Sequence, residues 1–396
     1  MLTLDKVFNA QTVLKSIIRE TNVVRAYGIA PDCELYLKPE NLQITGSFKV
    51  RGSAYKIAML SDEEKKKGVI ACSAGNHAQG VALAATKNSI RSLICLPDTA
   101  PISKVEATKG FGAEVCLVEG CYDDAYKKAL ELRDSKGYTF VHPFDDENVI
   151  AGQGTIALEI LNDLDNIDAI VVPIGGGGLI SGIAYTVKQI RPSVKVYGVQ
   201  AAGAPSMFNS VKKGEIECLS GVSTIADGIA VKQPGENTFR YVSEYVEEVA
   251  LVTDDEVASA ILALVEKQKM IAEGAGATAV AAVMAGKFDL KGKRVVAVVS
   301  GGNIDVTSLS RVIDRGLLNS GRSSSLLIEL IDKPGQLKEI SSIIADCGGN
   351  VTGVHYEKGN TESVNGCFLR IEMETRDFEH VNLITKTLRD EGFKLV

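Results

Sequence analysis

Between about residues 35 and 320, short runs of consecutive apolar residues alternate with longer stretches whose apolar positions recur every three or four residues. The short runs ELYLKPE (34–40), GVIACSA (68–74), RSLICLPD (91–98), AEVCLVEG (113–120), YTFVHPF (138–144), DAIVVPIG (168–175), VKVYGVQA (194–201) and RVVAVVSGG (294–302) predict strands. Most are apolar throughout rather than alternating, as strands are when helices cover both faces of a parallel sheet. Asn76–Lys87, Tyr122–Ser135, Gly154–Asp163 and Leu179–Arg191 have helical spacing. This alternation predicts an open α/β architecture with ligands beyond the carboxyl ends of the strands.

The rhythm changes after Asn319–Ser325 (NSGRSSS), whose small polar residues have the composition of a linker. LLIELID (326–332) reads as a strand and Leu337–Cys347 as a helix closing on Gly348-Gly349. NVTGVHYEK (350–358) and GCFLRIEMET (366–375) follow as strands, then a helix over Phe378–Glu391 and a last strand, FKLV. This is a ferredoxin-like βαββαβ unit over 326–396. Its exposed sheet edge or face suits pairing with a second copy.

Composition narrows the function. A chain of 396 residues, 45% hydrophobic, holds two or three folded units with real cores and is not a disordered chain. The net charge is −7 and no basic cluster exceeds Lys65-Lys66-Lys67, which excludes nucleic acid or an anionic membrane as main partner. Apolar runs such as Val295–Val299 fall far short of a membrane span, and the first residues lack a signal-peptide core, so the expected location is cytoplasmic. The cysteines form no C-x-x-C pair and are expected to be free, buried thiols. His77, His142, His355 and His380 are too scattered for a zinc cage, and no metal is expected.

Three glycine-rich turns follow predicted strands: Ser73-Ala74-Gly75-Asn76-His77, Gly175–Gly178 and Ser300-Gly301-Gly302-Asn303. Four consecutive glycines exceed what a tight turn needs. They let several backbone N–H groups converge while the next helix adds its N-terminal dipole, which makes an anion cradle suited to phosphate. Neither a Walker loop nor an in-register G-x-G-x-x-G is present. Lys49, in Thr45-Gly46-Ser47-Phe48-Lys49-Val50-Arg51-Gly52, would ordinarily be a solvated side chain. Beside a phosphate cradle without a nucleotide motif, it invites a phosphorylated cofactor held covalently by lysine, as pyridoxal phosphate is.

Over about residues 5–318 the chain resembles the fold type II pyridoxal-phosphate enzymes of the threonine dehydratase and serine racemase group. The matching motifs, in order, are TGSFKVRG around Lys49, SAGNHAQG at 73–80, GGGGLISG at 175–182, TIADGIAV at 224–231 and SGGN at 300–303. The tail, with DKPGQL at 332–337, resembles an ACT domain, the small amino-acid-sensing module. The resemblance implies two open twisted parallel-sheet subdomains in a catalytic domain over 1–318, with a small subdomain at about 41–140 inserted in the larger one. A linker over 319–325 and an ACT domain over 326–396 follow.

The resemblance also assigns roles. Lys49 is the lysine that carries the cofactor and the base for the substrate's α-proton. Phe48 lies against the pyridine ring, Asn76 meets the phenolic oxygen, and Gly175, Gly176, Gly177, Gly178 and Leu179 hold the phosphate. Ser300 meets the pyridine nitrogen; a hydroxyl there leaves a weaker electron sink than a carboxylate would, which suits β-elimination. Ser73, Asn76 and His77 line the substrate carboxylate, although His77 reads equally as a residue that merely starts a helix. The implied activity is deamination of L-threonine to 2-oxobutanoate and ammonia, with L-serine secondary. A serine-preferring dehydratase or a racemase-like enzyme is the alternative.

Racemases of this group have Ser where this chain has Ala74, which cannot transfer a proton. Gln200, Ala204 and Ser206 stand where related enzymes carry metal-binding carboxylates, so a tight divalent site is not expected. In the tail, the ACT resemblance makes Gly335, Leu337, Asn350 and Val351 the candidate contacts for an amino-acid or nucleotide effector, at an interface between copies. A homodimer or homotetramer is expected.

Overall fold

A computed structural model describes residues 1–357 and 366–396. The chain divides into two compact units, Met1–Leu309 and Ser310–Val396.

The first unit holds two sheets. The larger has the strand order Val24–Arg25, Glu34–Pro39, Arg294–Val299, Ala169–Pro173, Lys195–Ala201, Glu248–Val252. All its pairings are parallel except that of the short edge strand Val24–Arg25. The smaller sheet orders Glu114–Val118, Ser92–Pro97, Val69–Cys72 and Thr139–Phe140, all parallel, within the stretch 41–140. Val69–Cys72, Ser92–Pro97 and Ala169–Pro173 are buried along their whole length, which is why their sequences run apolar without alternation. Each strand predicted over 34–302 is present. Val24–Arg25 and Glu248–Val252 are not among the predicted strands, the first being very short and the second having an apolar run of only Val249–Val252 after two glutamates. Helix Glu147–Asp163 starts before its apolar periodicity does, because Asp146 accepts from the N–H groups of Asn148 and Val149.

That helix lies between the helices Lys49–Ala58 and Gly178–Ile190 and meets both at backbone distance. A Cβ on Gly152 would fall 2.7 Å from the Arg51 carbonyl and from Gly52 Cα. A Cβ on Gly182 would fall 2.4 Å from the Ile150 carbonyl and 2.6 Å from the Gly154 nitrogen.

In the second unit an antiparallel sheet orders Asn350–Glu357, Gly366–Glu374, Ser323–Ile331 and Lys394–Leu395, with helices Gln336–Asp346 and Phe378–Asp390, the expected βαββαβ plan. Lys358, the last residue of the predicted strand Asn350–Lys358, lies outside the described residues. The stretch 319–325 is not an open linker. Asn319 ends helix Val306–Asn319, while Ser323–Ser325 begin a strand and pair with Glu372–Glu374, so only 320–322 lie between. Serine's small polar side chains suit a sheet margin as well as they suit a linker, which is why composition misled.

All the cysteines are free; Cys72, Cys95 and Cys367 are buried, whereas Cys121 and Cys218 are exposed. Among the described residues, no helix is long and apolar enough to cross a membrane.

Candidate active site

The site assembles beyond the carboxyl ends of strands from both sheets of the first unit. Lys49 is the first residue of helix Lys49–Ala58. The turn before it is stitched to the SGGN turn: Ser47 bridges Gly301, and the Phe48 N–H donates to the Ser300 carbonyl at 3.1 Å. The Lys49 Nζ donates to the Pro143 carbonyl at 2.9 Å and sits 5.3 Å from the centre of the Phe48 ring. Burial lowers its pKa to about 8 against the opposing charge of Glu273.

The Gly175–Gly178 turn follows strand Ala169–Pro173 and opens helix Gly178–Ile190. Gly177 is left-handed, with φ +98°. A Cβ on Gly176 would fall 2.4 Å from the Phe144 ring, and one on Gly177 2.7 Å from Met207 and Thr238. Side chains are excluded here, and the first N–H groups of the helix have no partner within it. Leu179 is buried in the core behind them. The turn is braced from outside: Thr238 Oγ1 donates to the Gly176 carbonyl at 2.6 Å. Asp145 in turn accepts from the N–H groups of Glu236, Asn237 and Thr238 at 3.1, 3.0 and 3.1 Å.

Asn76 opens helix Asn76–Lys87. Its Nδ2 donates to Glu273 Oε1 at 2.6 Å, and its Oδ1 accepts from Asn303 Nδ2 at 2.7 Å. Glu273, which the sequence reading missed, is buried; burial first, then the charge of Asp227, raises its pKa to about 7. The only signal for it was a single carboxylate in the run Ala272–Ala282, which is otherwise small or apolar apart from Thr278. Ser73 Oγ accepts from the Gly75 N–H at 3.2 Å and keeps its own proton to donate.

His77 is buried. Its Nε2 meets the Val141 carbonyl at 2.9 Å and its Nδ1 meets Ser53 Oγ at 3.4 Å, so both ring nitrogens are taken. Burial, then the Lys49 charge, lowers its pKa to about 3, which keeps the ring neutral. A neutral ring held at both nitrogens fits the helix-start reading of this residue.

Two buried hydroxyls at the site have unused capacity. Among the described residues Ser47 Oγ has no partner, and Ser300 Oγ makes a single long bond to the Ala275 carbonyl at 3.4 Å. An amine of depressed pKa, a side-chain-free phosphate cradle, an amide and an underused hydroxyl together match the donor set that pyridoxal phosphate requires.

Beneath the Lys49 helix lies a cluster of four charged side chains that the sequence reading also missed. Arg51, with no exposed surface, donates to Glu40 at 2.7 and 2.8 Å and to Glu159 at 2.5 and 2.8 Å. Lys38 pairs with Glu159 at 2.6 Å and donates to the Thr21 carbonyl, and Thr21 Oγ1 donates to Glu40 at 2.5 Å. Burial disfavours the Glu40 carboxylate, yet Arg51 outweighs this and holds its pKa below the usual range.

Gln200 Oε1 accepts from the Phe208 N–H at 2.8 Å, while Gln200 Nε2 and Ser206 Oγ are buried without partners among the described residues.

In the second unit, Gly335, with φ +101°, precedes helix Gln336–Asp346, and Leu337 is exposed in its first turn. Asn350 and Val351 begin the strand that follows this helix; Asn350 Nδ2 donates to Glu374 Oε2 at 2.8 Å. The helix has 11 residues, so the two pairs of candidates sit at opposite ends of about 16 Å of helix and do not meet within one copy.

A family model described as "Pyridoxal-phosphate dependent enzyme" matches residues 14–301. An L-threonine ammonia-lyase of Thermotoga maritima is 48% identical over 398 residues, spanning 100% of this chain and 99% of that protein. A catabolic L-threonine dehydratase of Staphylococcus aureus is 46% identical over 323 residues, 80% of this chain and 93% of its own length. Among solved structures, the processed form of tomato (Solanum lycopersicum) threonine deaminase isoform 2 superposes with a TM-score of 0.74 at 38% identity, covering 78% of this chain and 93% of that one.

Proposed function

The chain belongs to the family of pyridoxal-phosphate dependent enzymes, and from that membership we propose that it deaminates L-threonine to 2-oxobutanoate and ammonia by β-elimination, with L-serine as a secondary substrate. The observation that carries this reading is the full-length likeness to the L-threonine ammonia-lyase of T. maritima.

When bound, pyridoxal phosphate supplies an electron sink for charge that develops at the substrate's α-carbon. The residues that would hold it are Lys49 through Nζ, Phe48 against the ring, Asn76 at the phenolic oxygen, Gly175–Leu179 at the phosphate and Ser300 at the pyridine nitrogen. With a pKa near 8, Lys49 keeps a share of its amine unprotonated at neutral pH, as a base for the α-proton must. Ser300 offers a proton without bringing a negative charge, and Ser73 offers one to the substrate carboxylate. Ala74 provides no second base, so the α-proton is handled by Lys49 alone, which favours elimination over racemisation.

Lys49→Ala tests the assignment: visible cofactor absorbance and ammonia release should both vanish, and turnover retained without added amines would overturn it. Comparing initial rates of 2-oxo-acid formation from threonine and serine tests the substrate. Faster turnover of serine would favour the serine-preferring alternative.

The second unit serves, in this reading, as an ACT module that binds a small amino acid or nucleotide and alters catalysis in a dimer or tetramer. The separation of Gly335 and Leu337 from Asn350 and Val351 by a whole helix supports a site shared between two copies.

A further inference from the structure

We propose that Glu273 is a positioning residue which, together with Asn303, locks the Asn76 amide so that its one free N–H is presented to the cofactor's phenolic oxygen. This rests on the assignment of Asn76 to that oxygen. The orientation follows from a chain of groups, each of which restricts the next. The Thr45 carbonyl can only accept, so the group facing it at 2.7 Å must be the Asn303 nitrogen. That nitrogen's second proton goes to Asn76 Oδ1 at 2.7 Å. The Asn76 nitrogen is thereby turned the other way, and one of its two protons goes to Glu273 Oε1 at 2.6 Å. One proton is left over.

A reversed amide would set nitrogen against the Asn303 nitrogen and oxygen against the carboxylate, so both contacts would turn repulsive. It would also face the phenolic oxygen with a second acceptor. The backbone is arranged to admit Glu273. Its N–H donates to the Gly301 carbonyl at 3.1 Å, and a Cβ on Gly301 would lie 2.3 Å from its Oε1. Asp227, Lys104, Lys49 and Asn76 are the charged and polar groups acting on the carboxyl, and Lys104 is itself paired to Asp227 at 2.7 Å.

The lock depends on charge. The ionised carboxylate accepts only, whereas the protonated acid can also donate to a reversed amide. A glutamine at 273 can accept or donate at every pH, and so imitates the protonated state.

The experiment uses the full-length chain with pyridoxal phosphate titrated into cofactor-free protein, together with the visible absorbance of the loaded protein from pH 5.5 to 9. Wild type should show an absorbance transition as Glu273, held above the usual carboxylate range by burial, ionises. Glu273→Gln should remove that transition and weaken cofactor binding by about tenfold, the scale of one hydrogen bond. Asn303→Ala, acting from the other end, should weaken binding similarly; it keeps the test decisive if Glu273→Gln folds poorly. Asn76→Ala serves as the reference. If Asn76→Ala changes neither affinity nor absorbance, the assignment of Asn76 fails and the inference falls with it. If Asn76→Ala changes both while Glu273→Gln and Asn303→Ala behave as wild type, the assignment stands and the positioning role is refuted.

Discussion

Arg51→Met should destabilise the catalytic unit far beyond the loss of an ordinary charge. The guanidinium is fully enclosed and joins two carboxylates, Glu40 and Glu159; among the described residues Lys38 is the only other cation bonded to them. Without it, two buried carboxylates face one ammonium. Removing one partner of a buried ion pair costs about 3–5 kcal/mol. That is a large part of the roughly 5–15 kcal/mol that separates folded from unfolded chains. For a unit spanning Met1–Leu309, at about 2.1 cal/mol/K per residue, each kcal/mol lowers the melting temperature by roughly 1.5 °C, so a fall of about 5–8 °C is expected. Charge balance supplies an internal check. Glu159→Met alone leaves two cations against Glu40, but the double variant Arg51→Met/Glu159→Met restores one cation to one carboxylate. The double variant should therefore be at least about 1 kcal/mol more stable than the two single losses added together. Thermal and urea denaturation of the cofactor-free protein and its three variants measure this. A melting temperature for Arg51→Met within about 2 °C of wild type, or strictly additive losses, would refute the reasoning. Because Arg51 lies in the first turn of the helix that Lys49 begins, kcat should also fall at temperatures where the variant remains folded.

Two further outcomes are expected. His77 stays neutral in the fold down to about pH 3, whereas an unfolded chain protonates it near 6.5; stability is therefore lost as pH falls across that window, at about 1.4 kcal/mol per unit. In urea titrations at pH 6.5 and 4.5, His77→Gln should lose about 2 kcal/mol less than wild type on acidification, and an unchanged pH dependence would contradict the assignment. A chain ended after Ser320 should retain cofactor and turnover but lose any response to isoleucine, valine or AMP. The S. aureus relative, matched over 93% of its length by 80% of this chain, makes such a core plausible. A truncated enzyme with its full response would put the regulatory site in the first unit.

What could be read in advance was chemistry confined to one contiguous stretch. Lys49 beside Phe48, the four glycines after AIVVPI and the SGGN turn each demand an unusual local sequence, and the structure brings them to one end of the sheets. Fold class was legible for a similar reason: a strand covered on both faces, such as Val69–Cys72, must be apolar at every position. Glu273 and the Arg51 cluster were not legible, because their meaning lies in partners far apart in sequence, as between Asn76 and Glu273 or Lys38 and Glu159. Lys38 and Glu40 gave a faint warning. Charged residues in a strand expected to be covered on both faces imply a buried counter-charge, but not which distant residue supplies it. His77 was ambiguous for a different reason: its motif fixes the helix start but not which way the ring turns.

The backbone contacts through Gly52, Gly152, Gly154 and Gly182 bear on how this protein can change. They make helix Glu147–Asp163 a gauge block between the helix that starts at Lys49 and the helix that starts at the glycine cradle. At Gly152 and Gly182 the facing atoms are all backbone, so neither thermal jostling of side chains nor apolar exchanges elsewhere in the core alter the spacing there readily. One added carbon at Gly152 or Gly182 would alter it at once, because the neighbouring chain cannot yield as a flexible side chain can. A molecule that must reach from amine to cradle has a fixed length, and here that length is kept by parts that do not wear. Divergence of specificity is thereby confined to the rims of the site, where loops such as 73–75 and 143–146 can vary while the span beneath them stays constant.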